Sequence, residues 1–149
     1  MNDPKSIIIS HYSKGKLYEV IIEAIKNAGI NLNKLKVEDL KSVDEFHIGG
    51  LQATLDLLNQ LKIKPKTKIL DIGSGIGGPA RLISSHYGAN VTGIDLTPEF
   101  VETALKINSL LGLNIKFQEG NALNIPFNDN KYDLATLLHV GMNISDKKK

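Results

Sequence analysis

The sequence predicts an α/β domain of the doubly wound kind, a parallel sheet with helices ahead of it. Two observations carry that expectation. From Lys68 onward, short apolar runs of strand length alternate with amphipathic runs of helical length. A glycine-rich stretch, Gly73 to Gly78, also falls where the first strand would hand over to a helix. The chain has 149 residues, of which 42% are hydrophobic and 23% charged, which suits one globular domain able to bury a core.

Taken in order, residues 1–15 read as a loose arm ending in the turn-like Tyr12-Ser13-Lys14-Gly15. A helix is expected over Lys16–Asn27, with Leu17, Val20, Ile21, Ala24 and Ile25 on one face and Gly29 as its stop. A short helical piece is expected over Leu35–Leu40, a loop over Asp44–Gly50, and an amphipathic helix from Leu51 through Leu55, Leu58 and Leu61. Lys68–Ile72 reads as a buried strand. Pro79–Tyr87 follows as a helix with Pro79 near its start and Gly88 past its end. Val91–Leu96 is a second strand. Thr97 is then expected to cap a helix that has Pro98 at its first position and Glu99 in its first turn. That helix is expected to bury Val101, Ala104, Leu105 and Leu111 and to stop at Gly112. Strands over Ile115–Glu119 and Tyr132–Val140 complete the pattern, separated by a polar loop containing Pro126.

Composition removes several function classes. The chain has no cysteine, so disulfides and thiolate metal sites are out. His11, His47, His86 and His139 lack the close spacing of metal ligands, and no metal is expected. The net charge is +2, with a local run at Lys147, Lys148 and Lys149 but no basic stripe, so no nucleic-acid partner is expected. Ile7-Ile8-Ile9 is too short to span a bilayer, so no membrane partner is expected and the protein is read as cytoplasmic.

In doubly wound sheets ligands bind beyond the carboxyl ends of the strands. This directs attention to residues 71–78, 95–97, 120–123 and 138–143. Gly73, Gly75 and Gly78 form a GxGxxG pattern, a weak signal alone that gains meaning between a strand and a helix. Asp95, at the end of the second strand, can accept both hydroxyls of a ribose. A dinucleotide would set a pyrophosphate over the glycine loop, where the carboxylate of Asp71 is unwelcome. S-adenosylmethionine (SAM) carries no phosphate and presents an ammonium and a sulfonium, so Asp71 favours SAM over NAD. Asn121 and Leu123 form a plausible adenine wall, Asn121 equally serving as a turn residue.

The stretches Ile69-Leu-Asp71-Ile-Gly73-Ser-Gly75-Ile-Gly77-Gly78-Pro-Ala-Arg81 and Val91-Thr-Gly-Ile-Asp95-Leu-Thr97-Pro-Glu-Phe100 resemble the first two motifs of class I SAM-dependent methyltransferases. Phe46 to Thr54 and His139 to Asp146 also resemble this group, in its small-molecule branch near the ubiquinone/menaquinone biosynthesis and sarcosine/dimethylglycine methyltransferases. The resemblance implies a Rossmann-like sheet in the order 3-2-1-4, with residues 1–50 as an N-terminal arm and helical lid and 51–149 as the SAM-binding domain. It implies that Asp71, Gly73 and Gly75 hold the methionine part of SAM, that Asp95 holds the ribose, and that Leu96 stacks on adenine. Asn121 and Ala122 would meet the adenine edge, Asn121 standing where the family more often has Asp. His139 would lie near the transferred methyl, and Tyr12 and His47 would belong to the lid.

The family's sheet has seven strands and this sequence supplies four, so the fold is expected to be incomplete at its C-terminal side. The fourth strand, from Leu134 to Val140, would then be an unguarded apolar edge through which two chains could pair as a homodimer. The expected activity is methyl transfer from SAM to a small-molecule substrate. The alternative is a truncated, impaired remnant serving as a binding or oligomerisation module.

Overall fold

The computed structural model describes residues 15–44 and 50–144. Tyr12 and His47, with the terminal lysines, lie outside the described residues. Helix α1 (Leu17–Asn27) leads through two 3-10 turns, Leu32–Lys34 and Val37–Leu40, into the short α2 (Lys41–Asp44). Helix α3 (Gly50–Leu58) precedes β1 (Lys68–Ile72), α4 (Gly78–Tyr87), β2 (Asn90–Asp95), α5 (Pro98–Leu111), β3 (Lys116–Glu119) and β4 (Leu134–Thr136), and a 3-10 turn follows at Gly141–Asn143.

The four strands form one parallel sheet in the order β3-β2-β1-β4, as the resemblance implied. Alternation along β1 splits its side chains between two packed faces. Ile69 joins Ala80 and Ile83 of α4 and Val101 and Ala104 of α5, with Leu58 of α3. Leu70 and Ile72 join Ile94 on the other face, covered by Ala122, Phe127 and Tyr132. Strands buried on both faces read as unbroken apolar runs, which is why β1 is plain in the sequence.

Several expectations need correction. On α1 the buried stripe is Leu17, Ile21 and Ile25, while Val20 and Ala24 face outward. The helical piece placed at Leu35–Leu40 starts later and continues through Asp44, which is therefore helical rather than loop. Thr97 precedes α5 without a side-chain cap, although Pro98 and Glu99 hold their expected places. On α5, Val101, Ala104, Ile107 and Asn108 are buried whereas Leu105 is exposed.

The largest correction concerns β4. Its ladder pairs only Leu134–Thr136 with Ile69–Asp71, so the strand is much shorter than the expected Tyr132–Val140. Beyond Thr136 the backbone leaves the sheet, and His139 adopts a left-handed φ of 57°. Hydropathy cannot register that departure, because Leu137 and Leu138 continue the apolar run without any ladder to join.

The N-terminal layer is tied to the sheet domain at two points. The Leu17 backbone N–H donates to Glu99 Oε1 at 3.1 Å, joining the start of α1 to the first turn of α5. Arg81 on α4, fully buried, forms an ion pair with Asp44 at the end of α2, its Nε donating at 3.1 Å and its Nη2 to the other oxygen. The apolar stripe of α1 packs with Leu40 and Ile107, and Ile76 of the glycine loop and Phe100 of α5 border that cluster.

Candidate functional site at the strand carboxyl ends

The glycine loop between β1 and α4 is built by backbone hydrogen bonds. Gly73 and Ser74 N–H groups both donate to the Ile94 carbonyl, at 2.8 and 2.9 Å, which folds the loop over the end of β2. Gly73, Gly75 and Gly77 all take positive φ, where side chains are strained. Their surroundings differ. A Cβ on Gly73 would meet Val140 at 2.6 Å, and one on Gly77 would meet the Phe117 ring at 2.5 Å, whereas one on Gly75 would meet nothing within 4 Å. Gly73 and Gly77 are therefore close approaches between segments, and Gly75 borders open space.

That space is a cleft of about 500 Å³, within the size range of small-molecule sites. Gly73, Gly75, Asp95, Leu96, Asn121 and Ala122 line it together with His139. Sequence reasoning did not single out Thr97, Phe100, Val140 or Asn143, which also line it. Thr97, Val140 and Asn143 fall in the expected strand-end segments while Phe100 lies beyond them in α5, and apolar or small polar side chains carry no chemical signature of their own. Among the described residues no group of three or more metal-ligating side chains gathers.

Asp95 is held open to this cleft by the loops on either side. Its Oδ2 accepts from the Gly75 N–H at 2.8 Å and its Oδ1 from the Thr97 N–H at 2.9 Å. A carboxylate oxygen has two acceptor directions, so each retains one for a ligand hydroxyl. Leu96, 71% exposed, offers a flat apolar surface beside it. Asn121 does make the turn: its Oδ1 accepts from the Leu123 N–H at 2.9 Å. His139 also lines the cleft, its left-handed backbone a conformation that costs about 1 kcal/mol or more for a non-glycine residue and that concentrates at functional positions.

Asp71 is placed differently. It does not line the cleft but lies buried behind the glycine loop, 1% exposed. Its Oδ1 accepts from the Thr136 hydroxyl at 2.8 Å, while its Oδ2 is buried without a partner. Burial raises its pKa from the ordinary 3.8 to about 7, with the Thr136 hydrogen bond opposing and the Asp95 charge adding to the rise. A buried acceptor without a donor is costly unless something supplies one. An ammonium or sulfonium above the loop would supply the missing positive charge. With the open space at Gly75 and the acceptor directions of Asp95, these carboxylates fit SAM, which carries cations, better than a pyrophosphate, whose charge they would oppose.

Comparison with known proteins points the same way. Residues 69–149 match the methyltransferase domain family. The 24-methylenesterol C-methyltransferase 2 of Arabidopsis thaliana is 44% identical over 77 residues, which is 50% of this chain and 21% of that protein. The phosphoethanolamine N-methyltransferase of Plasmodium falciparum is 34% identical over 105 residues, 66% of this chain and 38% of that protein. Among solved structures, phosphoethanolamine N-methyltransferase 2 of Haemonchus contortus in complex with S-adenosyl-L-methionine superposes with a TM-score of 0.55 at 29% identity, over 60% of this chain and 21% of that one. The chain thus spans between about a fifth and two fifths of the length of these relatives.

Proposed function

The chain belongs to the methyltransferase domain family, and on that premise we propose that it binds SAM in the strand-end cleft and serves methyl transfer to a small-molecule acceptor. The observation that carries the reading is Asp95, poised on the cleft by the Gly75 and Thr97 N–H groups with an acceptor direction left on each oxygen. In this reading those directions take the two ribose hydroxyls, Leu96 and Leu123 flank the adenine, and Asn121 and Ala122 meet its edge. Gly73 and Gly75 let the backbone approach the methionine part, and the buried Asp71 supplies negative charge beneath it.

Bound SAM would contribute an electrophilic methyl on a positively charged sulfur. The residues of this chain then have to orient an acceptor in line with that bond and keep water away, which can provide much of the acceleration. His139 is the candidate to hold or take the acceptor's proton, because it belongs to the lining of the cleft. Phe100 and Val140 contribute the apolar lining that excludes water. Tyr12 and His47 belong to the lid in this reading, supported by the anchoring of the N-terminal helices α1 at Glu99 and α2 at Arg81 of the sheet domain. The relatives methylate carbon in one case and nitrogen in another, as their names state, so the acceptor is proposed only as a small molecule.

Calorimetric titration with SAM, with NAD as the comparison ligand, tests the reading. Saturable micromolar binding of SAM but not NAD is expected. A folded protein that binds neither, or binds NAD in preference, would overturn it.

A further inference from the structure

We propose that Thr136 is a positioning residue for the cofactor: it fixes the buried Asp71 carboxylate by one oxygen, so that the carboxylate's charge beneath the glycine loop can serve the positively charged methionine end of SAM. The inference rests on the SAM reading above. Thr136 and Asp71 are opposite each other in the β1–β4 ladder, so the sheet itself brings the hydroxyl to the carboxyl. Both side chains are buried, at 5% and 1% exposure, and the Oγ1–Oδ1 distance is 2.8 Å. Thr136 is also the last residue of β4, after which the chain turns out to line the cleft at Leu138, His139 and Val140. One residue thereby joins the carboxyl beneath the glycine loop to the wall above it.

The groups around Asp71 explain why this contact matters. From β2 the facing charge is Asp95, which disfavours ionisation, as does burial. From the glycine loop comes the Ser74 hydroxyl, buried and without a partner. From α4 the buried cation is Arg81, already paired with Asp44. His139 lies beyond β4 on the cleft. Against burial and Asp95, the Thr136 hydrogen bond is the contribution that favours the charged carboxylate. A hydrogen bond to the ionised form lowers a carboxyl pKa, and a neighbouring cation lowers it further. Binding the cationic end of SAM should therefore release the Asp71 proton, and Thr136 should set the pH at which that becomes easy.

The test compares wild type, Thr136→Val and Thr136→Ser. Val keeps the shape and removes the hydroxyl, and Ser restores it. In the ligand-free chain, the Asp71 carboxyl carbon followed by NMR should titrate near neutrality in wild type, at clearly higher pH in Thr136→Val, and near the wild-type value in Thr136→Ser. Calorimetry with SAM at pH 7 should show roughly threefold to tenfold weaker binding in Thr136→Val, as expected for loss of one hydrogen bond to a charged group. That deficit should shrink toward none as the pH rises to about 9, since the ligand's own amino group titrates alike for every variant. Methylthioadenosine, which lacks the amino-acid end, should bind all three equally. If Thr136→Val does not fold, Thr136→Ala removes the same hydroxyl and takes its place. An unmoved Asp71 titration, or a SAM deficit equal at every pH, would overturn the inference while leaving the SAM reading intact. Failure of wild type to bind either ligand would instead defeat the reading on which it rests.

Discussion

Asp71 is the penultimate residue of β1 and Asp95 the last of its neighbour β2, yet their surroundings treat them as different chemical objects. Asp95 has both oxygens engaged by backbone N–H groups and borders the cleft. Asp71 is sealed behind the loop with one hydroxyl donor, one oxygen without a partner and a pKa pushed to about 7. In the proposed reading Asp95 is an acceptor held ready for neutral hydroxyls. Asp71 is a buried carboxyl whose charged form is disfavoured, and either a proton or a nearby cation relieves it. The same residue type near two neighbouring strand ends thus meets two environments, because one side chain borders the cleft and the other is buried away from it.

A third carboxylate sharpens the contrast. Asp44 is almost fully buried but has its cation, Arg81, within the fold. Removing one member of a buried ion pair typically costs about 3–5 kcal/mol, so Arg81→Ala should lower the urea midpoint more than any substitution at the strand ends or in the glycine loop. Asp71→Asn should do the opposite at neutral pH. Its folded pKa lies above the unfolded value, so the folded state holds the extra proton between about 3.8 and about 7. Wild-type stability therefore falls as pH rises across that window and levels off above it. The variant should lack that slope and gain stability relative to wild type at pH 8, read from urea unfolding at several pH values. If it lost stability as Arg81→Ala does, Asp71 would be a satisfied core residue and the contrast would fail.

The loop between the carboxylates offers a smaller test. Gly73→Ala places a Cβ at 2.6 Å from Val140 and should cost about 1–3 kcal/mol of stability, as overpacked sites do. Gly75→Ala meets no atom, so only its left-handed backbone is penalised, by about 1–2 kcal/mol. Its damage should appear mainly as weaker SAM binding. Leu96→Ala should leave stability unchanged and weaken SAM binding by roughly threefold to tenfold, from apolar contact on one side of the ring. Urea midpoints and calorimetry on the same preparations separate these effects.

Much of this arrangement was legible in the sequence because it is local. The glycine loop, Asp95 and Leu96 follow from a strand, a turn and a strand end, and β1 appears where its apolar run lies. Asn121 declares a turn by its type, and the turn is there. What escaped depends on register between distant segments. Thr136 meets Asp71 across 65 residues of sequence, and Arg81 meets Asp44 across 37. Neither separation has a periodicity to betray it. The length of β4 escaped for the same reason, since strand pairing ends where the partner diverges and hydropathy continues past that point. Asp71 was placed correctly in the loop's neighbourhood by its spacing, but its seclusion behind Gly73 is a property of the folded loop.

The division of labour between the two carboxylates is tested most directly by titrating SAM and methylthioadenosine into Asp95→Ala and Asp71→Asn. Asp95→Ala should lose affinity for both ligands by roughly a hundredfold, since two hydroxyl contacts to a charged acceptor disappear with it. Asp71→Asn should lose affinity for SAM alone and bind methylthioadenosine as wild type does. Equal losses for both ligands in Asp71→Asn, or undiminished binding in Asp95→Ala, would contradict the account.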